Sequence, residues 1–121
     1  MIKTPHHTIE ARSDGTIFVA IIGDGDVEVA KQFVADAEKE LGTLTVFPAH
    51  IIVDMRSSGL SDYEGIETYR AFLKDKRLGT LVFVVANQAV ETLIKMAVRG
   101  REQKTLFVKT IEEAEGLLSL E

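Results

Sequence analysis

The chain has 121 residues, 45% of them hydrophobic, no Cys and a formal net charge of −5. That length predicts one domain over residues 1–121, burying roughly two-thirds of its unfolded surface without disulfide or metal. The missing thiol excludes cysteine catalysis and thiolate metal sites, and the negative charge argues against a nucleic-acid or anionic-membrane surface.

Residues 7–12 and 15–22 read as two strands. Ser13-Asp14-Gly15 between them is a hairpin signal, because Gly takes the positive φ that tight turns need. His6 and His7 lie side by side in the leading tail. Neighbouring strand residues face opposite ways, so the two do not share a metal, and both are predicted exposed and idle.

Gly23-Asp24-Gly25-Asp26 comes next. Two Asp repel a phosphate, and the glycine spacing of a phosphate cradle is absent. A calcium loop fails because Val29 stands where that loop needs Gly. The acids are read as favourable charges at the start of a helix over 27–41. Its stripe is Val27, Ala30, Val34, Ala37 and Leu41, and Gly42 stops it.

The central stretch runs from Ile51 to Ile66. Ile51, Ile52 and Val53 predict a buried strand ending at Asp54, itself read as a turn residue. Arg56-Ser57-Ser58-Gly59 predicts a polar turn. Ser61 is the expected N-cap of a helix over 62–76, with Glu64 completing a capping box and Ile66, Tyr69 and Leu73 on the inner face. Handing a strand to a helix in this way places free helix N–H groups at the sheet's C-terminal edge, where open α/β folds usually work.

Residues 81–86 predict a further buried strand. Asn87 caps a helix with Val90, Leu93, Ile94 and Ala97 inside, and Gly100 ends it. A short strand over 105–108 follows. Thr110-Ile111-Glu112-Glu113 is a capping box for a last helix through Leu118. Lys95, Arg99, Arg101 and Lys104 form either a basic patch for an acidic partner or, more commonly, a solvated helix end. The order is ββαβαβαβα, an α/β fold with a mostly parallel sheet and an N-terminal antiparallel hairpin. No run is long and apolar enough for a membrane span, and residues 1–6 lack a signal peptide's apolar core, so a cytoplasmic protein is expected.

This order resembles the STAS domain of bacterial anti-sigma-factor antagonists. Their signature is a strand Asp, a turn, then Asp-Ser-Ser-Gly opening a helix, and a partner kinase phosphorylates the second Ser. Eight positions on from Asp54 is Asp62, so the tetrad reads Asp62-Tyr63-Glu64-Gly65 here. The closing stretch LFVKTIEEAEGLL is similar to the family's last strand and helix. Tyr63 and Glu64 replace both Ser, as in the divergent SpoIIAA-like or STAS/Sec14-type branch. Ser57-Ser58-Gly59 also spells Ser-Ser-Gly, but only three residues after the strand Asp.

The resemblance implies a non-enzymatic regulatory module without cofactor or metal. Its partner is an anti-sigma-factor-like or other regulatory protein. Its contact residues would be Ser57, Ser58, Gly59, Leu60, Ser61, Asp62, Tyr63, Glu64 and Gly65. Glu64 is open to three readings: a capping carboxylate, a permanent stand-in for phosphate with about half its charge, or an acid paired with Asp62 or Asp54. The alternative functions are a carrier or sensor of a small apolar ligand held between sheet and helix, and, last, a carboxylate-dependent hydrolase.

Overall fold

The computed structural model describes residues 1–119; Leu120 and Glu121, the end of the predicted domain, lie outside the described residues. The elements are β1 (Ile2–Lys3), β2 (His7–Ala11), β3 (Ile17–Gly25), α1 (Val27–Leu41), β4 (Ala49–Ser61), α2 (Tyr63–Leu73), β5 (Leu78–Val84), α3 (Gln88–Ala97), β6 (Thr105–Val108) and α4 (Ile111–Ser119). The strands form one sheet in sequence order, β1-β2-β3-β4-β5-β6. β1, β2 and β3 pair antiparallel; β3 to β6 pair parallel.

Each parallel crossover leads to the next strand in the same direction, so a uniform hand puts α1, α2 and α3 on one face. The strands sort their side chains accordingly, because successive residues point to opposite faces. Ile51, Val53, Leu81 and Phe83 join Phe33, Leu41, Ile66, Phe72, Val90 and Ile94 in the larger core. Ile52, Val82, Val84 and Val108 face the other way, onto Ala114 of α4. β5 is buried at all seven positions, as a strand covered on both faces must be. Burying one such aliphatic side chain stabilises the fold by about 1.5–3 kcal/mol.

Four departures from the sequence reading have physical causes. Strand β4 does not end at Asp54 but runs to Ser61, so the expected turn at 56–59 is extended chain. The N-cap of α2 is Asp62, not Ser61: its carboxylate accepts from Gly65 N–H at 2.7 Å. With the helix starting one residue later, Gly65 takes the third helical position, and the Ser61–Glu64 capping box does not form. The helix ends at Leu73, before Lys76, because Asp75 closes a local turn on the Arg77 N–H at 2.9 Å and Arg77 reaches Glu38 of α1 at 2.7 Å.

The fourth is His7, which is 1% exposed rather than idle at the surface. β1 adds an unforeseen strand outside β2, and the edge of the sheet lies against α1. There His7 Nε2 meets Asp36 Oδ2 at 2.7 Å, and Gln32 donates to the other Asp36 oxygen at 2.9 Å. The imidazole stands edge-on to Phe33. The Met1 amino group lies 3.3 Å from Glu40, so both buried acids of α1 are matched from the β1–β2 edge. His6 stays exposed.

Two stability outcomes follow. Asp62→Ala is expected to cost about 1 kcal/mol in urea denaturation, while Ser61→Ala costs little; equal losses would contradict the cap assignment. His7→Ala leaves Asp36 buried with Gln32 alone, and is expected to cost about 3 kcal/mol, with a smaller further loss when Asp36→Ala is added. A loss near zero for His7→Ala would show that water reaches Asp36.

Candidate functional site

The nine residues from Ser57 to Gly65 are positioned by a feature of β4. Up to Asp54 that strand is flanked on both sides, Ala20↔Asp54 toward β3 and Asp54↔Val84 toward β5. β5 ends there. β4 continues with β3 alone, as a two-stranded ribbon projecting past the rest of the sheet: Ile22↔Ser57, Gly23↔Ser58, Gly25↔Ser61.

Two steps of register show that β4 carries an extra residue twice, once between Asp54 and Ser57 and once between Ser58 and Ser61. Each bulge bends and twists its strand. An aspartate fixes each of them. At the first, Asp54 accepts from the Arg56 N–H at 3.1 Å and takes the guanidinium at 2.9 and 3.0 Å. The Arg56 hydrogen bonds hold the Asp54 carboxyl below the usual carboxylate range, against partial desolvation that would raise it. At the second, Asp24 of β3 accepts from the Leu60 N–H at 2.9 Å. Gly59 is required there, since a Cβ would lie 1.8 Å from Asp24 Oδ1. Gly23 supplies a φ of +73°, which other residues rarely adopt.

Beyond the second bulge the chain enters α2. Gly65 lies under Ser61, where a Cβ would come within 2.3 Å of Ser61 Oγ and 3.3 Å of the Asp26 carbonyl. Asp26 is itself the N-cap of α1, accepting from Val29 N–H at 3.0 Å. The starts of α1 and α2 therefore meet at one corner. Ser57, Tyr63 and Glu64 are exposed; Ser58 donates to the Gly59 carbonyl. Leu60 is 56% and Tyr63 68% exposed, and Ile22 on the partner strand is exposed too. Ser61 Oγ is buried and finds no hydrogen-bond partner in the protein.

Beneath the ribbon lies a cavity of about 100 Å³. Ser61 borders it, Phe33, Ile66, Phe83, Val90 and Ile94 wall it, and the exposed Ile22 and Leu60 flank it. Tyr69 also lines it, and burial pushes its phenol up to about 12.

The residues singled out in the sequence, Ser57 to Gly65, all lie on the β4–α2 side of this corner; the β3 side, Ile22 to Asp24, is not among them. Two glycines in a strand interior were the available signal, since they mark a bulge or a close backbone approach. Two of the basic residues farther on are engaged within the fold. Arg101 donates to the carbonyls of Leu73, Gly79, Gln103 and Lys104, and burial lowers its pKa. Lys95 pairs with Glu91 at 3.0 Å and lies over the Phe107 ring.

No protein-family model matches the chain, and no curated protein does. Solved structures do. An uncharacterised DUF3478-family protein with a SpoIIAA-like fold, from Shewanella loihica PV-4, is 15% identical with a TM-score of 0.71, each chain covered over 98%. The anti-sigma factor antagonist SpoIIAA in its unphosphorylated form is 14% identical with a TM-score of 0.66, over 93% of this chain and 97% of that one. The Bacillus cell fate determinant SpoIIAA in its phosphorylated form is 16% identical with a TM-score of 0.64, over 93% and 98%. At these identities the likeness is one of architecture: the chain has the SpoIIAA-like, STAS-type α/β fold.

Proposed function

We propose that the chain is a single, non-enzymatic regulatory domain. It binds a protein partner through the outer face of the β3–β4 ribbon and the first turn of α2. The observation that carries this reading is the pair Leu60 and Tyr63, 56% and 68% exposed on either side of the Asp62 cap. Their backbone is held by the Asp24–Leu60 and Asp62–Gly65 hydrogen bonds. Apolar and aromatic side chains kept in water on a fixed backbone bind a partner with little ordering cost. Tyr is among the residues that dominate such contacts.

The partner class is drawn from the architectural likeness to SpoIIAA, an anti-sigma factor antagonist. A regulatory protein of that kind, anti-sigma-factor-like, suits the exposed Asp62 and Glu64 if it brings basic residues to the rim. Glu64 has no hydroxyl for a kinase to esterify. Its charge at the position that the STAS resemblance gives to phosphoserine is permanent, so binding here is constitutive rather than phosphate-switched. The carboxylates favour binding over catalysis. Both Asp54 oxygens are engaged by Arg56, and Asp62 is spent on its cap. No helix among the described residues is long and apolar enough to cross a membrane. The action proposed is cytoplasmic, without nucleic acid.

The test uses affinity capture from the source cell, then titration of the captured protein against variants. Leu60→Asp with Tyr63→Ala is expected to weaken binding at least about thirtyfold, the cost of one hot spot of about 2 kcal/mol. Val46→Asp, in the exposed loop between α1 and β4, is expected to leave it unchanged. A partner lost with Val46→Asp but kept by the double variant would move the interface to the opposite end of the sheet.

A further inference from the structure

Apart from Met1, the large apolar side chains exposed among the described residues fall into two groups at opposite ends of the sheet. Ile22, Leu60 and Tyr63 stand where the parallel strands finish, beyond the last pair of β4 with β5, Asp54↔Val84. Val46 and Phe47 stand at the other end, in the loop before the first such pair, Ala49↔Leu78. Single exposed apolar residues are ordinary, whereas grouped ones mark contact surfaces.

The two ends are opposite in charge. Residues 22–28 and 56–64, around the first group, carry one Arg and five Asp/Glu, a net of −4. That Arg, Arg56, is held by both Asp54 oxygens, while Asp24, Asp26, Asp62 and Glu64 are exposed. Residues 38–48, 74–77 and 99–104, at the second end, carry seven Lys/Arg and four Asp/Glu, a net of +3. Lys39 lies in the last turn of α1 and Lys74 caps the end of α2; both are exposed, as is Lys76. The Ala49 N–H donates to the Arg77 carbonyl at 2.8 Å, which sets the Val46–Phe47 loop beside these cations. Two acids there, Glu38 and Asp75, are both taken by Arg77.

We propose that the protein self-associates head to tail: the Val46–Phe47 loop of one copy seats on the Ile22, Leu60 and Tyr63 surface of the next. Val46 stands 74% exposed, and Ile22 and Leu60 border a recess that can receive it. Pairing of like ends, as in a two-fold dimer, would set acid against acid or cation against cation. Only unlike ends match in charge, so the contact is heterologous, and copies add in series or close into a ring. A patch of so few residues makes a weak contact, and its exposed charges make it salt-sensitive. The inference does not rest on the partner reading, because both halves of the contact belong to this chain. It does cover the same Leu60 and Tyr63.

Sedimentation velocity of the whole protein tests it. The weight-average mass is expected to rise between about 10 μM and about 1 mM, the range of weak contacts, and to fall back when salt is raised to about 0.5 M. Leu60→Ser with Tyr63→Ser removes one end, and Val46→Ser with Phe47→Ala removes the other. Each double variant alone is expected to stay monomeric. An equimolar mixture is expected to form dimers and nothing longer, since each variant keeps the end that the other lacks. NMR of the unaltered protein needs no variant to fold: on dilution, the amide resonances of residues 46–47 and 60–63 are expected to move together. A monomer at every concentration, a rise in mass that salt does not reverse, a mixture that stays monomeric, or dilution shifts confined to one end would overturn the proposal.

Discussion

Strand β4 outlasts one of its neighbours, and the site depends on that mismatch. Through Asp54 it sits between β3 and β5; after Asp54 only β3 remains beside it. A lone two-stranded ribbon is marginal in water, and its free edge exposes unpaired backbone groups. The chain manages this with two bulges, each fixed by an aspartate: Asp54 through Arg56, and Asp24 through the Leu60 N–H. Without them residues 55–61 would be an ordinary surface loop, and Leu60 and Ser61 would have no fixed relation to Tyr63 and the rest of α2.

The helical face depends on the same geometry. Ser61 pairs with Gly25, and Asp26 and Asp62 then cap α1 and α2 side by side. Gly65 lets the two helix starts approach, lying close to Ser61 and the Asp26 carbonyl. The cavity lies below this corner, where the bulged ribbon leaves the plane of the sheet while Phe33, Ile66 and Val90 approach from three helices. The exposed Leu60 and Tyr63 and the cavity bordered by Ser61 are thus two sides of one irregular segment. Strain-bearing and irregular backbone is commonly concentrated at working sites.

Much of the architecture was legible in the sequence because hydrophobic periodicity reports burial directly. The run Leu-Val-Phe-Val-Val gave β5, the spacing of Val90, Ile94 and Ala97 gave α3, and Asn87 and Thr110 gave two caps. The ribbon was not legible. Arg56-Ser57-Ser58-Gly59 has turn composition, and composition alone does not separate a turn from a doubly bulged strand whose acceptor, Asp24, lies 36 residues away. The shift of the cap from Ser61 to Asp62 has the same origin, since both residues are good N-caps and the pairing of Ser61 with Gly25 decides between them. His7 reads as surface in the sequence because β1, only two residues long, leaves almost no periodic signal.

Amide hydrogen exchange at Leu60 tests the central claim most directly. The Leu60 side chain is exposed, so only a hydrogen bond can slow its N–H, and the structure gives that role to Asp24 Oδ1 at 2.9 Å. The Leu60 amide is expected to exchange at least about tenfold more slowly than in an unstructured chain, and to lose that protection in Asp24→Ala while Ile52 and Val82 in the sheet keep theirs. Exchange at the unstructured rate in the unaltered protein would contradict the account, because residues 55–61 would then be a loop.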